Sequence, residues 1–438
     1  MMSMKLIYCL LILLLVSVAS AEVPTIYNRE SLNIDITLSS DIDIVGSPSE
    51  LRVFLYDVLR ETESQKIIKQ SISPSATKSD NSIAYIWTQP KNKVTYSVSS
   101  SLQSSSYFPK VTKLIPLGST EFSEYTQPSK HIDSNNAAIH AKAQELIAGE
   151  ADTMIALFKL ATWVEENIQY DLSTLTEQVT QSSSWVLEHK IGVCDEITSL
   201  FIAMARSSGI PARYVSGISY TTADEFSQHW LRHGWAEVYI TGAWIPYDLV
   251  YGQLGYVDAT HLKLNDGIDS KHTSQAFFFE GDGNYIPHPL KIDASITSEG
   301  DMLSPIIQIE PHIASEVTPG KNTLSVVLEN KNNYYVATTL YLAVPPEIKA
   351  ERDTFHVLLL PNEKKTLDWQ LTIPASKKGS IQTFQADVYN ERNERKSLLL
   401  TVSEQGAGKE TESMPQQEKN MFTNLWTFFK RFFASLFN

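Results

Sequence analysis

The hydrophobic period of this 438-residue chain switches from two to helical spacing and back again, and that switch limits what it can fold into. From 22 to about 130, apolar residues alternate with polar ones. Leu32, Ile34, Ile36 and Leu38 show it, as do Val94, Tyr96 and Val98. Leu51 to Tyr56 and Ile83 to Trp87 read as further short strands. Ser71 to Ser82 and Ser99 to Ser106 read as the polar breaks between them. A β-sandwich over 22–130 is the simplest way to pair such strands.

The centre is different. Ala137 to Ile147 is rich in helix formers, and Asp152 to Ile168 places Ile155, Phe158, Leu160, Ala161, Val164 and Ile168 at helical spacing. Cys194 opens another helix, with Ile197, Leu200, Phe201 and Met204 on one face and Gly209 at the expected C-terminal cap. Strands return at Ala212 to Ile218, His233 to Ile240 and Ala243 to Asp248. The last two form a hairpin through Thr241-Gly242. Phe277 to Phe279 reads as one more strand, closed by the turn Glu280 to Asn284. That acidic turn lacks the ligand spacing of a calcium loop.

From 301 to 403 the alternation is strand-like again, in Leu340, Leu342 and Val344 and in Phe384, Ala386 and Val388. A second, Ig-like β-sandwich is expected there. The chain is too long for one ordinary core, so the expected order is a β-domain over 22–130, a central α+β domain over 131–300 and a β-domain over 301–403.

The ends carry signals of another kind. Lys5, the apolar run Leu6 to Val18 and the small residues Ala19-Ser20-Ala21 form a secretory signal over 1–21. The polar segment 404–420 reads as a flexible linker. In 421–438, Phe422, Leu425, Trp426, Phe429, Phe432, Phe433 and Leu436 share one helical face, opposite Lys430 and Arg431. This suits a helix lying in a membrane interface, or one docked on a protein surface. An exported protein is the expectation, with the C-terminal helix as a candidate tether. The formal charge of −14 argues against nucleic acid as a partner.

Of two cysteines, Cys9 leaves with the signal, so Cys194 is the single thiol of the mature chain. A lone cysteine is more often inert core than nucleophile, and its neighbours must decide. A nucleophile needs a base nearby, a group to orient that base, and a setting that favours the thiolate. A helix N-terminus favours negative charge, and Cys194 stands at one. His233 begins one strand of the hairpin and Asp248 ends the other, so a tight turn makes them neighbours. The carboxylate fixes one imidazole nitrogen and leaves the other for the thiol.

The words around these residues resemble the transglutaminase-like superfamily. They are Trp163-Val164-Glu165-Glu166-Asn167-Ile168-Gln169-Tyr170, Gly192-Val193-Cys194, Leu200 to Arg206, Gly209 to Gly217, His233 to Tyr239, and Trp244-Ile245-Pro246-Tyr247-Asp248. The resemblance covers about 135 to 265. It implies a papain-like core, with helices packed on an antiparallel sheet. It also implies Cys194 as nucleophile, His233 as general base, Asp248 as its orienting partner, and structural roles for Arg206 and Arg213. The implied reaction is acyl transfer on protein or peptide amides through a thioester, ending in hydrolysis or transfer to an amine. Gly234, where the family usually has alanine, and the acidic pair Asp195-Glu196 depart from the pattern.

Trp230, Trp235 and Trp244 are read as core by default, and His229 as a packing histidine. His261 has no assigned role. No His/Cys/carboxylate spacing calls for a structural zinc, and no cofactor is implied. The alternative from another class is a non-catalytic surface or adhesion protein that keeps the fold as a scaffold.

Overall fold

A computed structural model describes residues 25–403, apart from 119–120, 175–179, 224–225, 272, 314–316 and 376–380. The expected signal, linker and C-terminal amphipathic helix lie outside the described residues. Among the described residues no helix is long and apolar enough to cross a membrane.

The N-terminal region is organised by one long strand, Ser31–Leu55. Lys93–Ser105 and Ile83–Thr88 pair along one edge, and Lys291–Glu299 and Gln275–Pro287 pair along the other. The alternation seen in the sequence is the burial pattern of that strand, with Leu32, Ile34, Ile36 and Leu38 buried and their neighbours facing outward.

Three details differ from the sequence reading. Residues 275–299 hydrogen-bond into the N-terminal sheet instead of closing the central domain. Glu280 to Asn284 is not a terminal turn but continues a strand opposite Val45 to Glu50. Gly46 and Gly283 face each other there with φ +90° and +130°, and a Cβ on Gly46 would come within 2.7 Å of the Gly283 Cα. Glycine serves here to let two backbones cross closely, not to end a strand. Finally, the serine run Ser99 to Ser105 is strand and not a break. Its inward positions Ser100, Leu102 and Ser104 are buried.

The described strands of this region form one seven-stranded sheet and not the two separate sheets of the expected sandwich, so its apolar face has no second N-terminal sheet to close on. It shares one core with Ile218, Trp230, Leu262 and Leu264 of the central domain. The two domains are therefore built on a common hydrophobic layer.

The central domain is an antiparallel five-stranded sheet in the order Gln253–Leu254, Ala243–Asp248, Trp230–Ile240, Ala212–Tyr220, His261–Gly267. Among the described residues four α-helices accompany it: α1 Ala137–Leu146, α2 Thr153–Asn167, α3 Ser183–His189 and α4 Cys194–Ser207. The side chains of Asn136, Asp152 and Ser182 cap the first three. Helix α4 is the hub, buried from Glu196 to Arg206 between the other helices and the sheet. It stops at Gly209 (φ +77°), where the Ile210 N–H returns to the Ala205 carbonyl. Truncating a residue such as Leu200 or Phe201 in this core would cost roughly 2–5 kcal/mol.

The C-terminal region consists of two four-stranded antiparallel sheets. Both contribute to one core around the buried Trp369. It docks on the central domain through the Tyr335 hydroxyl, which donates to Asp152 at 2.5 Å, and through the Tyr335 N–H, which donates to the Val111 carbonyl.

Candidate active site

Cys194 is the first residue of α4 and is half-buried. The helix has no side-chain cap from Val193. Glu196, one turn in, reaches back instead: its Oε2 accepts the Val193 N–H at 3.0 Å and the Thr174 hydroxyl at 2.7 Å, while Oε1 accepts the Gln181 N–H. Glu196 is thus spent on the helix start. Asp195 is half-buried, and its partial burial followed by the charge of Glu196 raises its carboxyl above the usual range. This weakens its opposition to a thiolate, and of the acidic pair that stands out in the sequence it is Glu196 that serves the helix cap.

The hairpin places the other two residues. Thr241 and Gly242 hold φ +42° and +92°, the left-handed pair of a tight two-residue turn. Trp244 pairs with Tyr239 and Tyr247 with Ala236, which carries the end of one strand back beside the start of the other. His233 Nε2 and Asp248 Oδ2 are 2.5 Å apart, both buried. A carboxylate can only accept, so Nε2 carries the proton and Nδ1 is left for another partner. Cys194 lies near enough to His233 to contribute to the state of its ring. The structure therefore joins His233 to Asp248 and sets Cys194 on the neighbouring helix start, close to the imidazole.

Burial alone would pull the His233 imidazole down. The Asp248 carboxylate outweighs it and, with Cys194, raises it to about 9. Burial pushes the Asp248 carboxyl up, but His233 and then His261 hold it well below the usual carboxylate range. Asp248 is aimed from behind as well: its Oδ1 accepts the N–H groups of Val250 and Tyr251 at 2.9 and 3.0 Å.

His261 is the residue that sequence reasoning missed. It opens the edge strand His261–Gly267 and is fully buried against the site. Its Nε2 lies 2.9 Å from Asp248 Oδ2 and its Nδ1 lies 3.0 Å from Asp258 Oδ1. Asp258 is itself fixed by the Thr260 N–H and hydroxyl and by the Gln253 amide. The one available signal was Asp258-x-x-His261, too common a spacing to stand out. His233, Asp248 and His261 are also the one group among the described residues whose ligand atoms lie close enough to share a metal ion, within 4.8 Å of one another. Their mutual hydrogen bonds account for that spacing without an ion.

Two phenols complete the site. Tyr170 and Tyr214 are both raised above the usual range by burial first and by Cys194 next, so both remain protonated beside the sulfur. The departure at Gly234 now has a reason: a Cβ there would sit 1.8 Å from the Tyr214 hydroxyl oxygen. The phenol fills the space of the missing methyl. Of the three tryptophans only Trp235 reaches the site, stacked on His233 at 6.2 Å between ring centres. Trp230 belongs to the core shared with the N-terminal sheet. Trp244 lies at the far end of the hairpin under Arg213. Arg206 donates to the Ala212 and Gln127 carbonyls, and Arg213 pairs with Glu237 and Asp266. His229 stacks on Tyr220.

Residues 140–249 match the sequence model described as the transglutaminase-like superfamily. Over 196 residues the chain is 26% identical to the uncharacterised protein ML0607 of Mycobacterium leprae, an overlap of 43% of this chain and 67% of that one. Among solved structures, it resembles a protein proposed to be a cysteine protease from Cytophaga hutchinsonii, with 17% identity, 63% of this chain and 94% of that one covered, and a TM-score of 0.47. It also resembles the transglutaminase of red sea bream, with 11% identity, 81% and 77% covered, and a TM-score of 0.21.

Proposed function

We propose that this chain is an exported cysteine enzyme acting on carboxamide or peptide carbonyls through a thioester. The observation that carries the reading is the buried His233–Asp248 pair beside Cys194, the first residue of a capped helix. In the first half-reaction the Cys194 sulfur attacks the carbonyl carbon. The C–S bond forms, the C–N bond breaks, and His233 gives its proton to the departing ammonia or amine. In the second, His233 takes a proton from water or an amine, whose attack breaks the C–S bond and frees Cys194. The Cys194 N–H, one of the unpaired donors at the start of α4, is suited to the developing oxyanion. Asp248 holds the imidazole in the tautomer that faces sulfur.

The same reading includes features that rest on sequence. Residues 1–21 direct export, and the aromatic face of 421–438 touches a membrane surface. An Ig-like sandwich for 301–403 agrees with two four-stranded sheets on one core.

The test is incorporation of a fluorescent primary amine into casein together with ammonia release, in wild type, Cys194→Ala and His233→Ala. Wild type should give one or both products, and each variant should lose at least a hundredfold. Activity that survives Cys194→Ala would overturn the proposal and favour a binding scaffold.

A further inference from the structure

Behind the candidate active site, Asp248 and Asp258 are joined by His261, which points one ring nitrogen at each. Neither carboxylate can donate when ionised, so both contacts need an N–H from the ring. Only the imidazolium has two. The chain of contacts is continuous: His233 Nε2 to Asp248 Oδ2 at 2.5 Å, Asp248 Oδ2 to His261 Nε2 at 2.9 Å, and His261 Nδ1 to Asp258 Oδ1 at 3.0 Å. All four side chains are buried, and the two imidazole rings lie 5.7 Å apart.

We propose that His261, held as an imidazolium between Asp258 and Asp248, is a positioning residue that fixes the Asp248 carboxylate toward His233 and limits how tightly Asp248 retains the His233 proton. This rests on the cysteine-enzyme reading above.

The physical argument is one of competition. Asp248 offers a single oxygen, Oδ2, to both rings, while its Oδ1 is taken by Val250 and Tyr251 N–H groups. A cation on the far side of that oxygen subtracts from the field that holds the proton on His233. A base that must both give and take a proton in each turnover works best when neither state is held too strongly. Asp258 supplies the counter-charge that keeps His261 protonated. Gln253 and Thr260 hold Asp258 in place, so the orientation is transmitted through fixed groups. The groups facing His261 are Asp248, Asp258, the His233 ring, Trp235 and Tyr251, whose rings lie edge-on to it. No other titratable side chain is among the causes of its raised state, about 9.

The experiment is a ¹⁵N-histidine NMR titration of the full chain in wild type, His261→Gln and Asp258→Asn, with iodoacetamide labelling of Cys194 over the same pH range. Wild-type His261 should show both ring nitrogens protonated at pH 7. In His261→Gln the loss of the His233 proton should move to higher pH by half a unit or more, about threefold in proton affinity. Asp258→Asn should move it the same way by less. A purely structural role would slow labelling evenly at every pH and leave the His233 titration where it is, and that result overturns the proposal. So does an unprotonated ring nitrogen on wild-type His261 at pH 7, a measurement that needs no variant to fold. Labelling that ignores His233→Ala would instead sink the enzyme reading, while the His261 spectrum still reports on the clamp.

Discussion

A single oxygen of Asp248, Oδ2, receives an N–H from both His233 and His261, at 2.5 and 2.9 Å. One buried carboxylate thus ties the strand that bears the candidate base to the edge strand of the sheet. The arrangement makes stability and reactivity depend on the same charges.

The pH dependence of stability follows from the signs. His233 and His261 are each raised to about 9. Their contribution to the folded state is complete below the unfolded histidine value of about 6.5, and it is lost as pH rises through 9. Asp248 is held below its usual range, so its contribution is present above about pH 4 and lost on acidification. Urea unfolding of wild type should therefore weaken between pH 6.5 and 9.5, by about 2–4 kcal/mol because the two rings share one carboxylate. Asp248→Asn should flatten that slope. A wild-type stability that stays level or rises over this window would contradict the charge assignment.

The capping role of Glu196 makes a separate prediction. Glu196→Ala leaves the Val193 and Gln181 N–H groups and the Thr174 hydroxyl without their acceptor. The expected cost is roughly 2–4 kcal/mol in urea unfolding, with slower Cys194 labelling because the first turn of α4 loosens. Full retention of both properties would mean that the helix start is held by something else.

Gly234→Ala tests the packing of Tyr214. The new methyl has no room unless the phenol moves, so the variant should lose about 1–3 kcal/mol. Adding Tyr214→Val to Gly234→Ala should recover part of that loss, since the ring is the obstacle. Equal stability of Gly234→Ala and wild type would show that the phenol shifts freely.

How much of this is legible in the sequence varies with the range of the interaction. The start of α4 at Cys194, its stop at Gly209 and the hairpin turn at Thr241-Gly242 are local. Period and turn chemistry suffice to place them, and with them His233 beside Asp248. The pairing of Gln275–Pro287 and Lys291–Glu299 with Ser31–Leu55 joins residues more than 200 positions apart. No local pattern reports it, and Gly281 and Gly283 look like an ordinary turn until Gly46 is seen opposite. The serine run from Ser99 fails as a break because burial of Ser100 and Ser104 follows from the neighbouring strands. His261 is invisible for the same reason. Its partner Asp248 is 13 residues away and meets it only once the edge strand folds back along Ala212–Tyr220.

The most direct test of the central claim is the rate at which iodoacetamide labels Cys194, measured from pH 6 to 9 in wild type and in His233→Ala. The sequence has one other cysteine, Cys9, and replacing it by serine in both proteins makes the signal belong to one residue. A thiol paired with His233 should label at least ten times faster in wild type than in the variant at pH 6 to 7. The two rates should converge toward pH 9, where an unassisted thiol (~8.5) ionises by itself. Equal rates across the whole range would show that Cys194 and His233 do not act together, and the enzyme reading would fall with them.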